Sequence, residues 1–151
     1  MASLTPKTID LKGTGISKEG TVATGQTITP GQLLTRASTG IIVHATAAGN
    51  AAKLFAKENE LLGKTITDTY TAGMNIQMMF FPPGSEVYAL LAASGAAVAI
   101  GDFVESAGNG NLRKLSASAA TSEAQRASVV GIVLEAVTPG GSPTRCRIEI
   151  V

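Results

Sequence analysis

The sequence predicts a mostly β protein, with a compact barrel-like or tulip-like body over residues 27–151 and an extended, flexible N-terminal arm over residues 1–26. Three observations carry this reading. First, residues 85–115 hold three apolar runs and two tight reversals. Val87, Ala89 and Leu91 alternate with Tyr88, Leu90 and Ala92; Val98 and Ile100 lead into Gly101-Asp102; and Phe103-Val104-Glu105 leads into Gly108-Asn109-Gly110-Asn111. Both alternating series are largely apolar, which suits a strand covered on both faces. Second, residues 28–40 can be laid on residues 98–110, with Gly31 on Gly101, Gln32 on Asp102, Ala37 on Ala107 and Gly40 on Gly110. A turn entering a strand needs a residue tolerant of positive φ, and the turn closing that strand needs another. Third, Ile41 to Val43 is a β-branched run, residues 75–81 stop at Pro82-Pro83-Gly84, and a single stretch offers helix as a competitor.

Taken in order, residues 1–26 are polar and broken by Gly13, Gly15, Gly20 and Gly25, so that Ile9 and Leu11 form at most a two-point strand. Ordering a segment costs about 1–2 kcal/mol per residue, and this one has few apolar side chains to offset that cost. It is expected to be mobile alone and to order by adding to a partner's sheet edge, with Ile9 and Leu11 as the attachment contacts. Residues 27–48 read as a hairpin, with Leu33-Leu34-Thr35-Arg36, a turn at Ser38-Thr39-Gly40, then Ile41-Ile42-Val43 closed by His44. Residues 51–63 are the helix competitor, since Leu54, Glu58, Leu61 and Leu62 share a helical face. The flanking β pattern and Leu54-Phe55 favour a strand ending near Glu58, which makes Lys57-Glu58-Asn59-Glu60 a solvated run.

Further strands are expected at Thr65-Ile66-Thr67, at Tyr70-Thr71 and over residues 75–81, where Pro82-Pro83-Gly84 stops the chain. In the last of these, Ile76, Met78 and Phe80 form one face, and Gln77, Met79 and Phe81 the other. Residues 116–128, rich in Ser and Ala, read as an exposed loop; 129–137 as a buried strand; 139–143 as a hairpin turn; and 145–151 as the terminal strand, with Cys146, Ile148 and Ile150 on one face.

Composition bounds the function. A chain of 151 residues has the size of one domain with a sizeable core. Only 15% of it is charged, it holds 17 Gly, and it lacks Trp, a surface better suited to cover by partners than to isolation, so self-association as a trimer is expected. The net charge of +1 is spread without a basic stripe or interleaved aromatics, which argues against direct nucleic-acid binding. The longest uncharged apolar run, residues 87–100, falls about six residues short of a membrane span. Lys7, Asp10 and Lys12 interrupt any leader, so synthesis in a cytoplasm is expected.

Catalytic chemistry finds no foothold. Gly13 and Gly15 lack the third glycine of a dinucleotide loop, and the glycine pair Gly15 and Gly20 is followed by Thr21-Val22 rather than by a phosphate-binding Lys. Asp102 and Glu105 sit at a turn and a strand start, where solvated surface is expected. His44 stands apart from any Cys or carboxylate at ligand spacing and reads as a strand residue, and the lone Cys146 reads as a small buried hydrophobe. No catalytic, metal or cofactor residue is therefore assigned, and stability should be indifferent to reductants and chelators.

The run from Phe55 through Lys57-Glu58-Asn59-Glu60-Leu61-Leu62-Gly63-Lys64 to Gly73, then Pro83-Gly84-Ser85-Glu86-Val87-Tyr88, then Gly101-Asp102-Phe103-Val104-Glu105-Ser106 with Gly108-Asn109-Gly110, resembles the capsid decoration, or cement, proteins of tailed bacteriophages. The resemblance covers residues 51–137 and rests on turn and strand signatures rather than on catalytic residues. It implies a β-rich body, often a homotrimer, made in the host cytoplasm. Such a protein binds the major capsid protein on the exterior of the virion and braces the shell against packaged DNA. Residues 1–27 lie outside it. The alternative is a small β-barrel module of a tail or baseplate, or a glycan-binding module, although the latter usually shows exposed Trp or Tyr.

Overall fold

The strand β9 (Glu86–Leu91) is hydrogen-bonded along both edges and buried on both faces, as its doubly apolar sequence requires. One edge pairs along its length with β13 (Thr144–Ile150), from Glu86↔Glu149 to Leu91↔Thr144. β13 pairs with β12 (Val129–Val133), β12 with β10 (Phe103–Ser106), and β10 with β11 (Leu112–Lys114), which returns to β9 in parallel at Leu112↔Leu91. The chain is thus nearly all β and contains a closed five-stranded barrel. The computed structural model describes residues 5–116 and 127–151.

Val87, Ala89, Leu91, Val104, Leu112, Val133, Cys146, Ile148 and Ile150 form the barrel's buried cluster. A three-stranded sheet lies against it, ordered β2 (Ile16–Thr21), β8 (Asn75–Phe80), β6 (Leu54–Ala56). Successive residues of a strand point to opposite faces. Met79, with Phe55 of β6 and Phe81 just beyond β8, joins the barrel core; the Phe55 and Phe81 rings meet edge to face at 5.9 Å, worth about 0.5–1.5 kcal/mol beyond burial. Ile76 and Met78 instead join Leu54 and Ala56 in a second cluster, closed by the hairpin of β4 (Leu34–Ala37) and β5 (Gly40–Val43) and by the pair β3 (Thr27–Ile28) and β7 (Tyr70–Thr71). The central sheet therefore serves two cores, which explains why residues 75–81 are apolar on both faces.

The two similar stretches noted in the sequence form the same turn. In one, the Gln32 N–H donates to Thr29 O (3.1 Å) while the Gln32 side-chain Oε1 accepts from the Thr29 N–H (2.8 Å). In the other, the Asp102 N–H donates to Ala99 O (3.1 Å) while Asp102 Oδ2 accepts from the Ala99 N–H (2.8 Å). Gly31 and Gly101 sit third in these turns at φ +95° and +91°, a conformation that favours glycine. Each turn feeds one arm of a hairpin, β4–β5 or β10–β11, and the two units touch where the Leu33 N–H donates to Gly110 O and the Gly110 N–H donates to His44 O.

Several expectations are corrected. Residues 9–23 do not form a free arm. β1 (Asp10–Lys12) adds to the edge of β9, the Tyr88 N–H donates to Ile9 O at 2.9 Å, and Ile9 is fully buried in the barrel cluster. β2 pairs with β8 over six residues, from Ile16↔Phe80 to Thr21↔Asn75. Sheet edges supply main-chain hydrogen bonds that composition does not display. The Lys57-Glu58-Asn59-Glu60 run is not uniformly solvated, because Glu58 and Asn59 are buried and Glu58 Oε2 accepts from the Ile9 N–H (3.2 Å). The strand before it ends at Ala56, and a short 3₁₀ turn, Glu60–Leu62, follows. Thr65-Ile66-Thr67 is a turn closed by the Thr65 N–H donating to Asp68 Oδ2 (2.7 Å). Val98 contributes a single bridge to Val137 rather than a strand. The loop expected over residues 116–128 lies mostly outside the described residues.

Candidate interaction surfaces

The polar side chains singled out in the sequence are taken up by the fold. His44 Nδ1 lies 2.8 Å from Ser106 Oγ and Nε2 lies 3.3 Å from Asn50 O, while Ser106 Oγ also accepts from the Gly108 N–H at 3.1 Å. The tautomer that satisfies all three carries its proton on Nε2, donates to Asn50 O and accepts the Ser106 hydroxyl proton at Nδ1. His44 thus pins the end of β5 to the end of β10. Cys146 is fully buried, and burial pushes its thiol up to about 12, so at neutral pH it is an inert hydrophobe.

Asp102 and Glu105, expected on solvated surface, are both engaged. The Ala99 N–H and then Lys114, whose Nζ lies 2.7 Å from Oδ2, hold the Asp102 carboxyl below its usual range. Glu105 has no exposed surface; Arg113 Nε and Nη2 each lie 2.9 Å from its Oε1, and the Ser128 hydroxyl donates to Oε2 at 3.2 Å. Both residues fasten the barrel. Of the two attachment candidates, Ile9 is in the core and out of reach of a partner, and Leu11 is half-buried in β1 beside β9.

What remains open to a partner is a set of surfaces. Ile100 and Phe103 are exposed on either side of the Gly101-Asp102 turn. A cleft of about 510 Å³ runs between the β4–β5 hairpin and the central sheet; Leu34, Leu54 and Phe80 supply apolar walls, and Lys18 and Arg36 supply charge. A second cleft of about 520 Å³ lies beside the 3₁₀ turn, where Leu61, Leu62 and Met74 are exposed. Sequence reasoning missed the second because Glu58 and Asn59 were read as solvated. The signal that could have found it is Leu61-Leu62 standing between charged residues and Gly63, with no strand to bury it.

No family profile matches the chain, and no curated protein matches it. Among solved structures it is similar to the head fiber gp8.5 N base in bacteriophage phi29, with a TM-score of 0.55 and 13% identity over 91% of this chain and 95% of that one. At this identity the likeness is one of fold, and it spans nearly the whole of both chains.

Proposed function

We propose that this chain is a structural protein of a bacteriophage virion, which binds the outer surface of the capsid as a homotrimer and stabilises the shell against internal DNA pressure. The observation that carries the reading is the likeness, across nearly the full length of both chains, to a protein named as the base of a phage head fiber. The decoration-type turn signatures at Pro83-Gly84 and Gly101-Asp102 agree with it. Made in the host cytoplasm, the protein would add to the major capsid protein from outside. Attachment falls to the body, since Ile9 is committed to the core. That neighbour's name, which refers to a phage head, also favours this reading over a tail or baseplate module. A glycan-binding barrel is less favoured because Tyr70 and Tyr88 are both buried and offer no stacking platform.

The test is to mix purified protein with shells of the encoding phage that lack it, and to image them by negative stain. Regular protrusions on the exterior, together with a higher temperature of DNA release, are the expected result. Shells that take up no protein, or take it up with no change in DNA retention, would count against the reading.

A further inference from the structure

The loop after β6 carries an unusual combination. Leu61 and Leu62, in the 3₁₀ turn Glu60–Leu62, are 88% and 69% exposed. Immediately before that turn, Glu58 and Asn59 are only 4% and 8% exposed and root the loop in the fold, with Glu58 Oε2 accepting from the Ile9 N–H. Two adjacent leucines this exposed are unfavourable in water and mark a surface suited to cover. That exposure is relieved by the arrival of a surface that brings an apolar recess.

The charge around this loop is acidic. Glu19, Glu58, Glu60 and Asp68 line its two adjoining clefts against Lys57 and Lys64. The Gln77 and Asn75 amides hold the Glu19 carboxyl below its usual range, and the Thr65 N–H does the same for Asp68, so both stay ionised at neutral pH. The cleft beside the β4–β5 hairpin is the reverse. It is lined by Lys18 and Arg36 with no carboxylate among its lining residues, and neither cation has an ion-pair partner among the described residues. Its floor is apolar, from Leu34, Leu54 and Phe80, and its volume of about 510 Å³ leaves room for a projecting side-chain pair.

We infer that these two surfaces are the halves of one interface between copies of this chain: the Glu58–Leu62 loop of one copy seats in the Lys18/Arg36 cleft of the next. Leu61 and Leu62 cover the apolar floor, and the Arg36 guanidinium, with five donors, faces the exposed Glu60 carboxylate. Lys18 and Glu19 are successive residues of β2, paired with Met78 and Gln77, and so point to opposite faces of the central sheet. The two halves therefore cannot both engage a single partner. The contact is head to tail and closes into a ring of at least three copies or extends into a chain. It needs no shell, so it stands or falls separately from the capsid reading.

Light scattering coupled to size exclusion, on the full chain at micromolar concentration, tests it. Wild type is expected as a species of three or more copies. Arg36→Glu, Glu60→Lys and Leu61→Ser/Leu62→Ser, all at exposed positions, are expected to give monomers with the wild-type circular dichroism spectrum. The charge swap Arg36→Glu/Glu60→Lys is expected to regain assembly in part, a rescue that a merely structural role would not produce. A monomeric or dimeric wild type, or assembly that survives all the single-site changes, would overturn the inference.

Discussion

A carboxylate with no exposed surface loses its hydration and needs cations and donors in its place, and Glu105 receives both, from Arg113 in β11 and from Ser128 just before β12. Arg113 in β11 stands directly across the ladder from Glu105 in β10, which puts the guanidinium fork at 2.9 Å with little side-chain freedom left to lose. Arg113 keeps substantial exposure at 43%, so the pair is screened on one side only. Removing the cation leaves the buried carboxylate uncompensated, and Arg113→Ala should destabilise the protein by about 2–4 kcal/mol in urea unfolding. Replacing both partners by methionine should recover most of that loss, because two apolar side chains of similar size carry no desolvation penalty. A double substitution as unstable as Arg113→Ala would mean that the ion pair itself, and not relief of a stranded charge, holds this part of the barrel. Glu105 was legible in the sequence as a strand residue but not as a buried one. Its neighbours Val104 and Ser106 lie on the opposite face of the strand, and the burial of Glu105 depends on what packs outside the barrel wall.

Strands here are short, and turns decide where each begins. The paired turns at Thr29–Gln32 and Ala99–Asp102 show one device used twice: a glycine in the third position and a polar side chain in the fourth that caps the first residue's N–H. The device was visible in the sequence because it is local, and its glycines fell in register. The partners beyond it were not, since β11 meets β9 in parallel while β10 lies between β11 and β12, an order no hairpin rule supplies. The two glycines differ in surroundings. A Cβ at Gly101 meets nothing within 4 Å, whereas one at Gly31 comes within 2.9 Å of Tyr88 O and 2.7 Å of Arg145 Nη1. Gly101→Ala should therefore cost only the conformational strain of positive φ, about 1–2 kcal/mol. Gly31→Ala should cost roughly 1–3 kcal/mol more, because the Tyr88 carbonyl belongs to β9 and cannot retreat. Equal unfolding midpoints for the two variants would show that the approach of the Gly31 turn to β9 is not tight.

At the scale of the molecule, the N-terminal strands tie the barrel to the central sheet. β1 occupies the edge of β9 next to the segment where β11 docks, Ile9 lies in the barrel cluster, its N–H is held by Glu58 from the loop after β6, and β2 then crosses to β8. One chain segment thus bonds to both units, and this explains why a stretch too polar to fold by itself is nonetheless ordered: the strand edges it completes belong to the rest of the chain. Removing residues 2–20 would strip β8 of its partner at five of six paired positions, reopen part of β9 and leave the Ile9 site empty. Ile9→Ala alone, which keeps the strand and removes the side chain, should cost about 2–5 kcal/mol, a large share of the roughly 5–15 kcal/mol that holds a domain of ordinary stability. The truncation removes that contribution together with the ladder bonds, so it should abolish cooperative unfolding, with urea titration followed by circular dichroism giving a sloping baseline in place of the wild-type transition. A truncated chain that unfolds with the wild-type midpoint would show instead that the barrel stands without its first strands, and that residues 2–20 are dispensable to the fold.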